Sequence, residues 1–358
     1  PLLYEVREPL INWYYSNKRD LPWRDTKDPY HIWVSEIMLQ QTRVEAVIPY
    51  YERFMQALPT IEALAECEED TLLKLWEGLG YYNRVRNMQK AAQFLCAQYD
   101  GQMPQTYEQI VALPGIGPYT AGAIASIAFE EQVPAVDGNV LRILARVSED
   151  DRDILKEATK KRMTAELQQI MPKEAGAFNQ ALMEIGALVC IPNGQPKCEE
   201  CPWQPYCQAC KHETYDRLPV KTKAKPRRIE EKTVLLIRDG EKIVLRKRPP
   251  KGLLAGLYEL PNLPGYLKEE EVLAFVRSQN LAPLQIKKLP DAKHIFSHIE
   301  WLMQGYLVQV ADVDSFHSDE ALSKGPEDYL LVEIEKTKNA YAIPSAFDRY
   351  AAYIALRD

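Results

Sequence analysis

Four cysteines, Cys190, Cys198, Cys201 and Cys207, stand within eighteen residues in the pattern C-x7-C-x2-C-x5-C. Thiols at this density hold a metal, and four sulfurs with no ordered histidine spacing suit either zinc or an iron–sulfur cluster. Two disulfides or a chance cluster are the alternatives. The opening residues Pro1 to Glu5 lack the basic-then-apolar layout of an export signal, so a reducing compartment is expected. Cys210 and His212 follow closely and could substitute as ligands. Cys67 and Cys96 stand alone in helical patterns and read as small buried hydrophobes.

Two carboxylates could do acid–base work. Glu36 lies in Ile32-Trp33-Val34-Ser35-Glu36-Ile37-Met38-Leu39, where helical spacing gives it a face with Ile32, Trp33 and Leu39. Desolvation raises the pKa of a carboxyl on an apolar face, and a carboxyl protonated near neutral pH is a general acid. A buried ion pair with an arginine is the alternative, and it would lower the pKa. Asp137 stands just before a helical pattern, in Val136-Asp137-Gly138-Asn139-Val140, where an N-cap is the common use of aspartate. The segment Leu113-Pro114-Gly115-Ile116-Gly117-Pro118-Tyr119-Thr120 joins two helical stretches. Its glycines allow close backbone approach and Pro118 suits a first helical position. Such a turn is either a phosphate site built from outward N–H groups or a plain connection.

Helices have to position these residues. Up to about residue 190 the apolar pattern predicts them at Ile32 to Gln41, Val44 to Leu58, Thr71 to Trp76, Val85 to Tyr99, Pro118 to Phe129, Val140 to Val147, Ile154 to Met171 and Phe178 to Val189. Pro and Gly punctuate between them, and no strand alternation intervenes. Leu218 to Pro226 has few apolar anchors and reads as a linker. Beyond it, Thr233 to Ile237, the turn Asp239-Gly240 and Lys242 to Arg246 predict a hairpin. Trp301 to Val310 predicts a strand, and Glu269 to Ser278 and Phe347 to Leu356 predict helices. The expected division is an all-α domain over 1–216, a basic linker over 217–231 and an α+β domain over 232–358.

Composition agrees. The 358 residues are 46% hydrophobic and 27% charged, enough for two or three domains. No apolar run approaches the roughly 18 residues of a membrane span. Net charge is −7, yet Arg217 to Lys232 holds seven basic residues against two acidic ones. Phosphate binding needs such a local patch, not a basic total.

The glycine turn followed by the cysteines resembles the endonuclease III superfamily of DNA glycosylases. That superfamily joins a helix-hairpin-helix to an iron–sulfur cluster spaced C-x6-C-x2-C-x5-C. This chain carries one extra residue between Cys190 and Cys198. Leu21-Pro22-Trp23-Arg24, Leu39-Gln40-Gln41-Thr42, Gly78-Leu79-Gly80-Tyr81-Tyr82 and Asp137-Gly138-Asn139-Val140 resemble its MutY branch, and the likeness spans nearly the whole chain. The resemblance implies an all-α helix-hairpin-helix glycosylase domain followed by an α+β, Nudix-like (MutT-like) domain. It implies a 4Fe–4S cluster on Cys190, Cys198, Cys201 and Cys207, and excision of adenine opposite 8-oxoguanine or guanine in double-stranded DNA. A monomer in a bacterial cytosol, with no membrane partner, is expected.

The resemblance also assigns roles. Breaking a nucleoside C–N bond gives the sugar oxocarbenium character, so one acid must protonate the leaving base and one carboxylate must stabilise the cation. Glu36 and Asp137 fill these positions, with Tyr119 and Asn139 positioning Asp137 and the intermediate. Trp23, Arg24, Leu39 and Gln180 fall at adenine-pocket positions, Gln41 and Tyr81 where the stack is wedged as the adenine leaves, and Thr42 and Leu79 at further substrate-binding positions. Gly115 and Gly117 would meet the DNA backbone. Superfamily lyases carry a Schiff-base lysine where Tyr119 stands, and this chain has no lysine between Lys90 and Lys156. A monofunctional enzyme is therefore expected. Phe296-Ser297-His298, with His294 upstream, matches the branch's loop that contacts 8-oxoguanine. The Nudix glutamates are incomplete: Tyr258 stands six residues after Gly252, and Glu269-Glu270-Glu271 lacks the preceding arginine. Recognition without hydrolysis is expected there. The competing readings are a bifunctional lyase and a non-catalytic DNA-binding protein with a structural zinc.

Overall fold

The computed structural model describes residues 4–222, 226–311 and 329–354. Its helices in the first part are α1 (Arg7–Asn17), α2 (Pro29–Leu39), α3 (Val44–Ala57), α4 (Ile61–Glu66), α5 (Glu69–Leu75), α6 (Asn83–Tyr99), α7 (Tyr107–Val111), α8 (Pro118–Phe129), α9 (Gly138–Ser148), α10 (Glu157–Gln169), α11 (Ala175–Leu188) and α12 (Gln208–Lys211). Strands β1 (Arg228–Asp239), β2 (Lys242–Lys247), β3 (Tyr258–Glu259) and β4 (Asn262–Pro264) follow, then α13 (Glu269–Ser278), β5 (Ala282–Ile295), β6 (Ile299–Ala311), β7 (Tyr329–Glu333), α14 (Ile334–Ala340) and α15 (Asp348–Ala351). Two compact units result: Pro1–Cys67 with Asn83–Ala224, and Glu68–Tyr82 with Lys225–Asp358.

Local chemistry explains the helices that matter most. Asp28 caps α2 through the Tyr30 N–H (2.8 Å), and Pro29 occupies its first turn. Arg84 closes its other end by donating to the carbonyls of Ile37 (2.6 Å) and Gln40 (2.7 Å). Every residue from Ile32 to Met38 is buried, as a helix apolar on all sides must be. In the same unit Leu10, Tyr14, Ile143, Leu144, Phe178, Leu182 and Ile185 form a core with Trp203. The Trp203 Nε1–H donates to the Val6 carbonyl at 2.7 Å, tying the cysteine segment to the start of the chain.

The second unit is built on a sheet of order β3-β2-β1-β6-β5, with β4 on β1 and β7 on β2. β1 and β6 run parallel from Arg228↔Ile299 to Arg238↔Gln309; the other pairs are antiparallel. Period-two alternation sends Val234 and Leu236 into a core with Trp301 and Phe347, and Leu235 and Ile237 into one with Val272 and Val276 of α13.

The structure departs from the sequence expectations in four places. Residues 68–82 belong to the second unit, because their polar side chains find partners there. Lys74 donates to the carbonyls of Thr337 (2.9 Å) and Tyr341 (3.1 Å), Glu77 accepts from the Ile343 N–H (2.8 Å), and Asp70 pairs with Lys247 (3.1 Å). The segment expected as a linker is partly built in: the Val220 carbonyl accepts from the Ile154 N–H (3.1 Å), and residues 228–231 open β1. Lys223 and Lys225 lie outside the described residues, whereas Arg228 pairs with Glu230 (2.6 Å) and Lys232 sits over the Trp301 ring (4.6 Å). The helix expected over Phe347 to Leu356 is broken into short helical pieces, the four-residue α15 between the 3-10 turns Ser345–Phe347 and Ala352–Ile354; its last two residues lie outside the described ones. β5 escaped the sequence reading because Pro283 and Pro290 and an exposed, lysine-rich outer face hide its alternation.

Candidate active site

A cavity of about 350 Å³ in the first unit is lined by Trp23, Arg24, Glu36, Leu39, Thr42, Tyr119, Asp137, Asn139 and Gln180, with Arg19, Met183 and Ile127 among the further walls. Its size suits a small ligand. Nine residues chosen from the sequence thus meet in one place.

Glu36 is 5% exposed. Burial pushes its carboxyl up to about 7, partly offset by the hydrogen bond from Tyr119 and by the charge of Arg24. The Tyr119 hydroxyl donates to Glu36 Oε2 at 2.7 Å. Tyr119 is therefore a partner of Glu36, whereas the resemblance had placed it on Asp137. Burial and the neighbouring carboxylates hold the Tyr119 hydroxyl well above its usual range.

Asp137 is both N-cap and cavity wall. Its Oδ1 accepts from the N–H groups of Asn139 (2.9 Å) and Val140 (2.8 Å), and its Oδ2 accepts from Asn139 Nδ2 (2.8 Å). Asn139 is in turn held by Arg142 (2.8 Å), which also donates to the carbonyls of Gly186 (2.8 Å) and Cys190 (2.9 Å).

The buried ion pair weighed for Glu36 belongs to another residue. Glu184 on α11 is fully buried, accepts from Arg19 (2.9 and 3.0 Å) and pairs closely with Arg24. Arg24 also reaches the Tyr14 hydroxyl (3.2 Å). Neither Arg19 nor Glu184 was singled out from the sequence. The signal was present: Glu184 interrupts the apolar run Ala181-Leu182-Met183-Glu184-Ile185 as Glu36 interrupts α2, one helical turn after Gln180.

Gly115 (φ +73°) and Gly117 form the turn between α7 and α8. A Cβ on Gly115 would stand 2.6 Å from the Asn87 Cβ. Gln41 is exposed at φ +60°, just past α2, and does not line the cavity.

The family model for HhH-GPD superfamily base excision DNA repair proteins matches residues 34–173, and a NUDIX domain model matches residues 233–353. An adenine DNA glycosylase of Mus musculus is 35% identical, over 84% of this chain and 70% of its own length. One of Buchnera aphidicola subsp. Acyrthosiphon pisum is 33% identical, over 88% of this chain and 90% of its own. The chain belongs to the adenine DNA glycosylase family. A thermostable thymine-DNA glycosylase structure superposes with a TM-score of 0.53 at 27% identity, covering 58% of this chain and 97% of that one. An endonuclease III–DNA complex, at 23% identity and a TM-score of 0.50, shares the fold.

Other family motifs lie in the second unit. Phe296, Ser297 and His298 are the tip of the β5–β6 hairpin, closed by the Phe296 N–H on the Ile299 carbonyl (2.8 Å). Ser297 and His298 are exposed, and the Ser297 hydroxyl lies 3.2 Å from that of Tyr81. Phe296 packs on His294 and Trp301, so His294 supports the tip from a half-buried position. Leu79 is buried.

Cys190, Cys198, Cys201 and Cys207 line one cavity with Ile143, Val147, Ile185, Val189 and Trp203. Burial pushes the Cys201 thiol up to about 12. Donors nonetheless face the sulfurs: Arg146 to Cys190 (3.4 Å), the Trp203 N–H to Cys201, and the Ala209 and Cys210 N–H groups to Cys207. Among the described residues no three potential ligands are grouped so as to hold a single ion. Seven residues, Ile191 to Lys197, connect the first two cysteines. They turn through Gly194 (φ +79°) and close by the Lys197 N–H on the Val189 carbonyl (3.0 Å).

Proposed function

We propose that this protein is a monofunctional glycosylase that releases adenine paired with 8-oxoguanine or guanine in duplex DNA. The observation that carries the reading is the meeting, in one cavity, of a carboxyl raised to about 7 and a second carboxylate whose oxygens only accept hydrogen bonds. Glu36 delivers its proton to the leaving adenine, helped by the Tyr119 hydroxyl that fixes its orientation. Asp137, on the positive end of α9 and oriented by Asn139, stabilises the sugar cation as the bond breaks. Trp23, Arg24, Leu39, Thr42 and Gln180 hold the flipped base. With tyrosine at position 119 and no lysine among the described residues that line the cavity, the DNA strand stays intact.

The four cysteines fit a 4Fe–4S cluster: they offer only sulfur, line one cavity with apolar side chains, and have N–H donors for thiolate charge. When bound, the cluster supplies a structural cross-link for residues 190–207 and takes no part in excision. Gly115 and Gly117 serve the DNA phosphates. Tyr81, Ser297 and His298 serve the base opposite the adenine, so a Ser297→Ala/His298→Ala variant should treat 8-oxoguanine and guanine partners alike.

Base release from duplexes carrying A:8-oxoguanine, A:G and thymine glycol tests the reading. Free adenine from the first two, abolished by Glu36→Gln and by Asp137→Asn, is expected, with strands intact until alkali is added. Release from thymine glycol, or a borohydride-trapped adduct, would overturn it.

A further inference from the structure

Cys210 is left over by the four-cysteine pattern, yet its side chain lines the same cavity as Cys190, Cys198, Cys201 and Cys207. Its side chain shares that cavity wall with Cys198. It sits on α12, and its amide N–H already donates to the Cys207 sulfur. Cys198 has a softer tether. It follows the loop that carries the extra residue and turns through Gly194, where a Cβ would meet nothing within 4 Å. His212, the other spare ligand suggested by sequence, is engaged elsewhere, 2.6 Å from Glu149.

We propose that Cys210 is a reserve ligand that takes the place of Cys198 on the metal centre and keeps it bound when Cys198 lets go. This rests on the four-cysteine cluster reading above. In the exchange the Cys210 thiol gives up its proton as its sulfur bonds to iron. The iron–sulfur bond to Cys198 breaks, and that sulfur takes up the proton. No electron changes hands, and the shared cavity sets both sulfurs around the same centre.

Iron, zinc and acid-labile sulfide, with visible absorption, are measured in anaerobically purified wild type, Cys198→Ala, Cys210→Ala, Cys201→Ala and the Cys198→Ala/Cys210→Ala double variant. Cys198→Ala and Cys210→Ala should keep most of the wild-type iron, while Cys201→Ala and the double variant lose nearly all of it. Cys198→Ala as depleted as Cys201→Ala, a double variant as loaded as Cys198→Ala, or loss of iron in Cys210→Ala would each overturn the proposal. Wild type lacking iron and sulfide overturns the cluster reading instead, before any variant is compared. If it carries zinc, the same comparison read in zinc decides the role of Cys210.

Discussion

Glu36 and Asp137 carry opposite chemical demands, and their surroundings separate them. The Glu36 carboxyl lies at about 7 when folded against an ordinary 4.5, chiefly through burial. With the folded value raised, its contribution to stability is whole below about pH 4.5, is lost as pH rises through 7, and stays lost above that. Glu36→Gln has no charge to bury, so it should gain on wild type across that window, by on the order of 3 kcal/mol at roughly pH 8. Urea unfolding at a series of pH values reads this. Single-turnover adenine release by wild type should fall as pH rises above about 7, and Glu36→Gln should lose about a hundredfold or more below it. Asp137 invites a different comparison. Asparagine caps a helix as well as aspartate does, whereas alanine costs about 1 kcal/mol. Asp137→Asn and Asp137→Ala should therefore be equally inactive, with only the alanine variant melting early.

At the scale of elements, the α7–α8 turn separates fold from binding. Gly115→Ala places a Cβ at positive φ and against Asn87, so it should cost about 1–2 kcal/mol or more in stability. Gly117 has an ordinary φ of −92° and no neighbour within 4 Å of its absent Cβ. Gly117→Ala should leave the melting temperature unchanged or slightly raised while weakening binding to duplex DNA in fluorescence anisotropy. Most helices were legible because their apolar period and capping residues agree, as at Pro118–Phe129, whose bounds the sequence marks with Gly-Pro at one end. The cavity was legible through its motifs. Glu184 and Arg19 were not, since an ion pair across 165 positions leaves no local trace. β5 was not, because its register is set by pairing with β6 and not by its own alternation.

For the molecule as a whole, the path of the chain was the least legible property. Residues 68–82 read as more of the helical series by pattern alone. Only partners far along the sequence, Thr337, Tyr341 and Ile343, decide that they join the second unit. Net charge gave no lead to DNA either. The lead came from a glycine turn that needs no basic side chain. The placement of residues 68–82 in the second unit, although they lie in the first part of the chain, has a practical outcome. A protease site engineered between residues 222 and 226 would yield two polypeptides, each holding part of the second unit's fold. After cleavage they should still co-elute in size-exclusion chromatography and come apart only in denaturant. Supplied as separate genes, the two halves would behave as a complementing pair: the second carries every strand of the sheet, and the first supplies the 68–82 segment that completes the unit.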